Sequence, residues 1–111
     1  MSDEVVTTIK GQIEGNPILL YMKGSPDAPQ CGFSARTVQA LMQCGERFAY
    51  VDILSNPEAR ANLPKYANWP TFPQLWVDGE LIGGCDIVTE MAESGELQTL
   101  VKEAAAAQSA E

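Results

Sequence analysis

With 111 residues, 45% of them apolar, the chain can build one hydrophobic core and is too short for two, so a single domain over 1–111 is expected. Fifteen acidic side chains against seven basic ones give a net charge of -8, which repels phosphate backbones, and no apolar run approaches the roughly 20 residues that span a bilayer, so neither nucleic acid nor membrane is an expected partner. Histidine is absent and cysteine occurs three times, which excludes Cys-His and Ser-His catalytic pairs, His metal sites and a four-thiolate site within one chain.

The odd cysteine count argues against a secreted disulfide framework, and the acidic start Met1-Ser2-Asp3-Glu4 lacks the basic and apolar stretches of a signal sequence. A cytoplasmic protein is expected.

Val5, Val6, Ile9 and Ile13 recur at helical spacing before Gly15-Asn16-Pro17, which predicts an amphipathic helix over 3–14. Ile18-Leu19-Leu20-Tyr21-Met22 is a continuous apolar run of strand length, the pattern of a strand covered on both faces. Residues 23–30, rich in Gly and Pro, read as a loop, and a helix follows from about Gly32 to Cys44, ahead of Gly45. Phe48 to Val51 is a second strand. Asn56 as N-cap and Pro57 at the first helical position open a helix to about Tyr66.

Thr71–Val77 and Glu80–Gly83 flank Asp78-Gly79, a strong hairpin signal. Asp86 is expected to cap a short helix to about Ser94, which Gly95 breaks, and a last helix runs from Glu96 to about Ala106, with 103–111 expected to fray. A helix between two strands makes them parallel neighbours and the hairpin adds antiparallel strands. The expected fold is α/β and thioredoxin-like, a mixed four-stranded sheet flanked by helices, with its site in the loop after the first strand.

Cys31 stands in that loop where it becomes a helix. Unpaired N–H groups and the positive end of the helix dipole favour its thiolate, and Lys23 at the end of the first strand adds a positive charge. Ser34 occupies the place of a resolving thiol, so no Cys-x-x-Cys disulfide can form. Cys44 lies thirteen residues on, about 20 Å along a helix, and reads as a core residue. Cys85 follows Gly83-Gly84 at another helix start, where backbone binding of a ligand and thiol chemistry, including a minor disulfide with Cys31, both remain open.

The sequences Met22-Lys23-Gly24, Cys31-Gly32-Phe33-Ser34, Trp69-Pro70-Thr71-Phe72-Pro73 and Gly83-Gly84-Cys85-Asp86, in this order, resemble a monothiol glutaredoxin of the CGFS type, over about Val5 to Lys102. The resemblance implies glutathione bound by Lys23, Arg60, Phe72, Cys85 and Asp86, with Lys65 a weaker candidate. Lys23 and Arg60 would meet carboxylates, a cis Pro73 would expose the Phe72 backbone for strand-like pairing, and Cys85 with Asp86 would receive the γ-glutamyl end. Each has a plainer alternative: solvated cations at Lys23 and Arg60, a trans edge-strand proline, a simple N-cap at Asp86. Trp69 is expected to serve packing.

The resemblance further implies that Cys31 is a metal ligand. A [2Fe-2S] cluster would be shared by two subunits, its four ligands being two Cys31 thiolates and two glutathione thiolates. The implied function is cluster storage, transfer and delivery between assembly proteins and iron-sulfur apo-proteins, as a homodimer when cluster-bound or as a heterodimer with a BolA-type partner. The alternative is a glutathione-dependent oxidoreductase with Cys31 as catalytic nucleophile.

Overall fold

All five residues of strand β1 (Ile18–Met22) are buried, and the rest of the molecule is arranged around this strand. The structure is a computed structural model that describes residues 3–109. β1 pairs in parallel with β4 (Ala49–Asp52) and antiparallel with β5 (Gln74–Val77), which pairs with β6 (Glu80–Gly83), giving the order β4-β1-β5-β6.

Side chains alternate along a strand, so β1 feeds two cores. Ile18, Leu20 and Met22 pack with Val38 and Leu41 of α2 (Gly32–Gln43), Val88 of α4 (Cys85–Ser94), and Leu97 and Val101 of α5 (Glu96–Ser109). Leu19 and Tyr21 turn the other way, onto Val5, Ile9 and Ile13 of α1 (Asp3–Glu14) and Leu63 of α3 (Pro57–Ala67). The Tyr21 hydroxyl donates to Gln12 Oε1 at 2.7 Å, and burial, with the nearby Tyr66 second, pushes its pKa far above the ordinary tyrosine value. This is the thioredoxin-like arrangement of one mixed sheet between two helical layers.

Several boundaries differ from the sequence reading. Within 23–30 a small antiparallel ribbon forms, β2 (Gly24–Ser25) with β3 (Ala28–Pro29), because Gly24 adopts φ +90 and Ser25 Oγ accepts the Ala28 N–H at 3.2 Å. β4 is displaced by one residue, since Asp52 pairs with Met22 while Phe48 packs into the core below. β5 begins at Gln74 rather than Thr71, as Pro73 has no N–H for a ladder.

Asn56 is the N-cap of α3, but its side chain makes no capping bond and donates back to the Asp52 carbonyl at 2.8 Å. Gly84, not Asp86, is the N-cap of α4, which places Asp86 in the first turn, where its charge still suits the helix dipole. α5 continues to Ser109, past Ala106; its alanine-rich sequence has high helix propensity and Ala104 is anchored in the core. Residues 110 and 111 of the expected fraying tail lie outside the described residues.

Candidate functional site: a lone thiol beside a cleft

Cys31 is the N-cap of α2, with extended backbone at φ −156 and ψ 141, and its side chain is partly exposed. The largest single influence on its thiol is partial burial, which disfavours the charged form. That is outweighed by the N–H groups of Ser34 and Phe33, the Ser34 hydroxyl and the charge of Lys23, and the thiol is held below its ordinary pKa of 9.0. The neutral thiol makes no capping hydrogen bond. These donors therefore act on the thiolate, the stronger acceptor.

Ser34 is completely buried and its Oγ accepts the Lys23 N–H at 3.1 Å. One hydroxyl thus ties the end of β1 to the start of α2 and also favours the Cys31 thiolate. Read from sequence, Ser34 was only a missing cysteine.

The Lys23-Gly24 segment is held from two further sides. Gln30 donates its N–H to the Lys23 carbonyl at 2.9 Å, and the Gly24 N–H donates to Asp52 Oδ1 at 2.9 Å. A side chain at Gly24 would stand 2.5 Å from the Ala28 carbonyl oxygen, so only glycine fits there. Asp52 also accepts the Leu54 N–H at 2.9 Å and the Ser55 hydroxyl at 3.1 Å. Desolvation alone would raise its pKa, but the Gly24, Leu54 and Ser55 donors prevail and hold the carboxyl below the usual carboxylate range.

Next to the thiol lies a cleft of about 690 Å³. Its wall includes Lys23, Arg60, Phe72, Cys85 and Asp86, all five positions singled out in the sequence, contributed by the end of β1, α3, the segment before β5 and the start of α4. Lys65 is exposed and does not line it. Cys31 is not part of the wall; it adjoins the cleft through Lys23 and Phe33, which line it and also act on the sulfur. Phe33 is 58% exposed and puts an apolar ring at the edge of the cleft.

The Phe72–Pro73 bond is cis. Gly84 lets α4 approach that segment: a Cβ on it would lie 3.2 Å from the Pro73 carbonyl oxygen. Gln74, fully buried in β5, donates its amide to the carbonyls of Trp69 at 3.1 Å and Thr71 at 3.3 Å, fixing the same wall from behind. Neither Asp52 nor Gln74 was singled out from sequence: Asp52 reaches the distant Gly24, and Gln74, whose carbonyl partners are near in the chain, carries no motif of its own.

The other two thiols are differently placed. Cys44 packs against the core, its Sγ donates to the Ala40 carbonyl at 3.3 Å, and burial, then Glu46, raises its pKa. Cys85 is buried, with its Sγ 3.9 Å from Thr89 Oγ1. Among the described residues no three Cys, Asp or Glu side chains gather into a metal site, and no helix is long and apolar enough to cross a membrane.

Residues 18–82, from β1 through most of the hairpin, match the family model described as Glutaredoxin. The chain belongs to the glutaredoxin family. It is 74% identical over 101 residues to Glutaredoxin 4 of Escherichia coli K12, covering 91% of this chain and 88% of that protein, which places it with the monothiol glutaredoxins. The solved structure of reduced poplar apo GrxS14 is 47% identical with a TM-score of 0.77, covering 90% of this glutaredoxin and 92% of its own chain. A buckwheat glutaredoxin solved as a complex with glutathione shares the fold, at TM-score 0.79 and 22% identity, covering 94% and 96% of the two chains.

Proposed function

We propose that this glutaredoxin binds glutathione in the cleft and that the Cys31 and glutathione thiolates together hold a [2Fe-2S] cluster between two copies, as cargo for iron-sulfur apo-proteins. The observation that carries this reading is a stabilised lone thiolate adjoining a cleft whose wall presents two cations, Lys23 and Arg60, and a helix start bearing Asp86. Glutathione carries two carboxylates and one ammonium. Lys23 and Arg60 suit its carboxylates, the N–H groups at the start of α4 suit another acceptor, and Asp86 suits the ammonium. A buckwheat glutaredoxin of the same fold has been solved with glutathione, which makes glutathione a ligand this fold can take.

Ligand chemistry then explains the single thiol. Three cysteines, one of them in the core, cannot surround a cluster, whereas Cys31 with one glutathione gives two soft ligands per chain and two chains give four. Half of those ligands are held without covalent bonds, so the cluster can leave. With Ser34 in place of a second thiol, Cys31 has no resolving cysteine in its own helix turn. Homodimers, mixed dimers with a BolA-type partner, and exchange with assembly proteins follow from this mode of holding, in the cytoplasm where glutathione keeps such a thiol reduced.

The lowered pKa of Cys31 also favours a second activity at the same site. Its thiolate attacks the glutathione sulfur of a glutathionylated substrate and expels the substrate thiolate; a second glutathione thiolate then attacks the Cys31–glutathione disulfide and leaves as oxidised glutathione. Anaerobic reconstitution with iron, sulfide and glutathione distinguishes the two. Visible cluster absorption that needs both glutathione and Cys31 supports the carrier; a colourless protein that reduces glutathionylated substrates leaves only the oxidoreductase.

A further inference from the structure

The two tryptophans of the chain sit seven residues apart on the same wall segment and strand, and differ in one respect. Trp76 donates its indole N–H to Gln74 Oε1 at 3.2 Å. Trp69 Nε1 is buried and has no hydrogen-bond partner. The orphan is not the product of a loose loop, because the Trp69 backbone is fixed at both ends: its N–H donates to the Pro64 carbonyl at 3.0 Å and its carbonyl accepts from Gln74 Nε2 at 3.1 Å.

The indole lies against the start of α4, with Nε1 3.6 Å and Cζ2 3.9 Å from where a Gly84 side chain would begin. Trp69, Gly84, Cys85 and Asp86 all line the cleft. An indole nitrogen can only donate, and a buried donor without an acceptor is destabilising, so such groups are rare and call for a reason.

We infer that the Trp69 N–H is a ligand-binding donor, completed by an oxygen of the bound peptide, a carboxylate or a peptide carbonyl, that reaches the α4 end of the cleft. The inference rests on the reading of this cleft as the glutathione site and adds a residue to it. Trp69 then does more than pack: the free protein carries an unmet donor, and occupancy of the cleft relieves it. The same feature selects for ligands with an acceptor at this point and against peptides lacking one.

Two indole signals in a proton–nitrogen NMR spectrum read this directly, the one missing in Trp69→Phe belonging to Trp69. On titration with reduced glutathione, the Trp69 indole proton is expected to move downfield and to exchange more slowly with water, while that of Trp76 stays in place. Trp69→Phe, which keeps an aromatic ring, is expected to weaken glutathione binding about tenfold, equivalent to about 1.4 kcal/mol, with no loss of thermal stability. A purely packing tryptophan gives the reverse pattern, lower stability with unchanged affinity. The inference is overturned if glutathione shifts the Cys85 and Asp86 amides while the Trp69 indole moves no more than that of Trp76, or if Trp69→Phe binds within twofold of native. Should no cleft amide respond to glutathione at all, the site assignment itself fails and this inference with it.

Discussion

Ser34→Ala removes a fully buried hydroxyl that accepts the Lys23 N–H at 3.1 Å and stabilises the Cys31 thiolate. Alanine fills nearly the same space, so the loss is polar rather than steric. The Lys23 N–H is left without its acceptor, which costs about 1–3 kcal/mol. In a domain of this size 1 kcal/mol lowers Tm by roughly 4 °C, giving an expected fall of roughly 4–12 °C.

The second effect of Ser34→Ala is on reactivity. One of the groups favouring the thiolate disappears, so the Cys31 pKa rises toward its ordinary value of 9.0, and the pH profile of alkylation by iodoacetamide moves to higher pH. Calorimetry and alkylation rates between neutral and alkaline pH measure both. If stability falls while the alkylation profile stays in place, the hydroxyl serves only to join β1 to α2; if neither changes, the role assigned to Ser34 is wrong.

Asp52→Asn is expected to destabilise the protein and loosen the Lys23-Gly24 segment, with a defined pH dependence. The Asp52 pKa is depressed in the folded state, so its stabilisation is complete above the ordinary aspartate value of 3.8 and is lost as pH falls through the lower folded value; urea titrations of native and variant should converge in acid, and a gap that stays constant with pH would contradict the assignment. Gly24→Ala forces a side chain into φ +90 and to within 2.5 Å of the Ala28 carbonyl, costing at least about 1 kcal/mol. Displacement of Lys23 should then slow Cys31 alkylation at neutral pH, and an unaltered rate would show that the segment does not position the lysine. Leu20→Ala, at the fully buried centre of β1, should cost about 2–5 kcal/mol in chemical unfolding, whereas a loss under about 1 kcal/mol would mean the core there is loosely packed.

What could be read from the chain alone is set by whether a signal is local. Ile18 to Met22 carries no alternation because helices cover both faces of β1, and Asp78-Gly79 forms its turn from adjacent residues, so both were legible. The placement of Cys31 at the start of α2 followed from the loop before it. The wall of the cleft was legible only through the four motifs and, for Arg60, the family resemblance they establish, since nothing in local spacing brings Arg60 of α3 to Asp86 of α4. The bonds from Lys23 to Ser34 and from Gly24 to Asp52 stayed hidden because each joins groups far apart in the sequence, and that of Gln74 because no local pattern marks a glutamine that bonds nearby carbonyls. The Asp86 cap was misplaced for a related reason: aspartate favours both the cap and the first turn, and the close approach of Gly84 to Pro73 settles which applies.

The central claim is that one protein thiolate and one glutathione thiolate per chain share a cluster between two chains. Native mass spectrometry of the anaerobically reconstituted protein counts those components directly. The expected species contains two chains, one [2Fe-2S] cluster and two glutathiones, and disappears in Cys31→Ser. A cluster-bearing species without glutathione, or one that persists in Cys31→Ser, would contradict it.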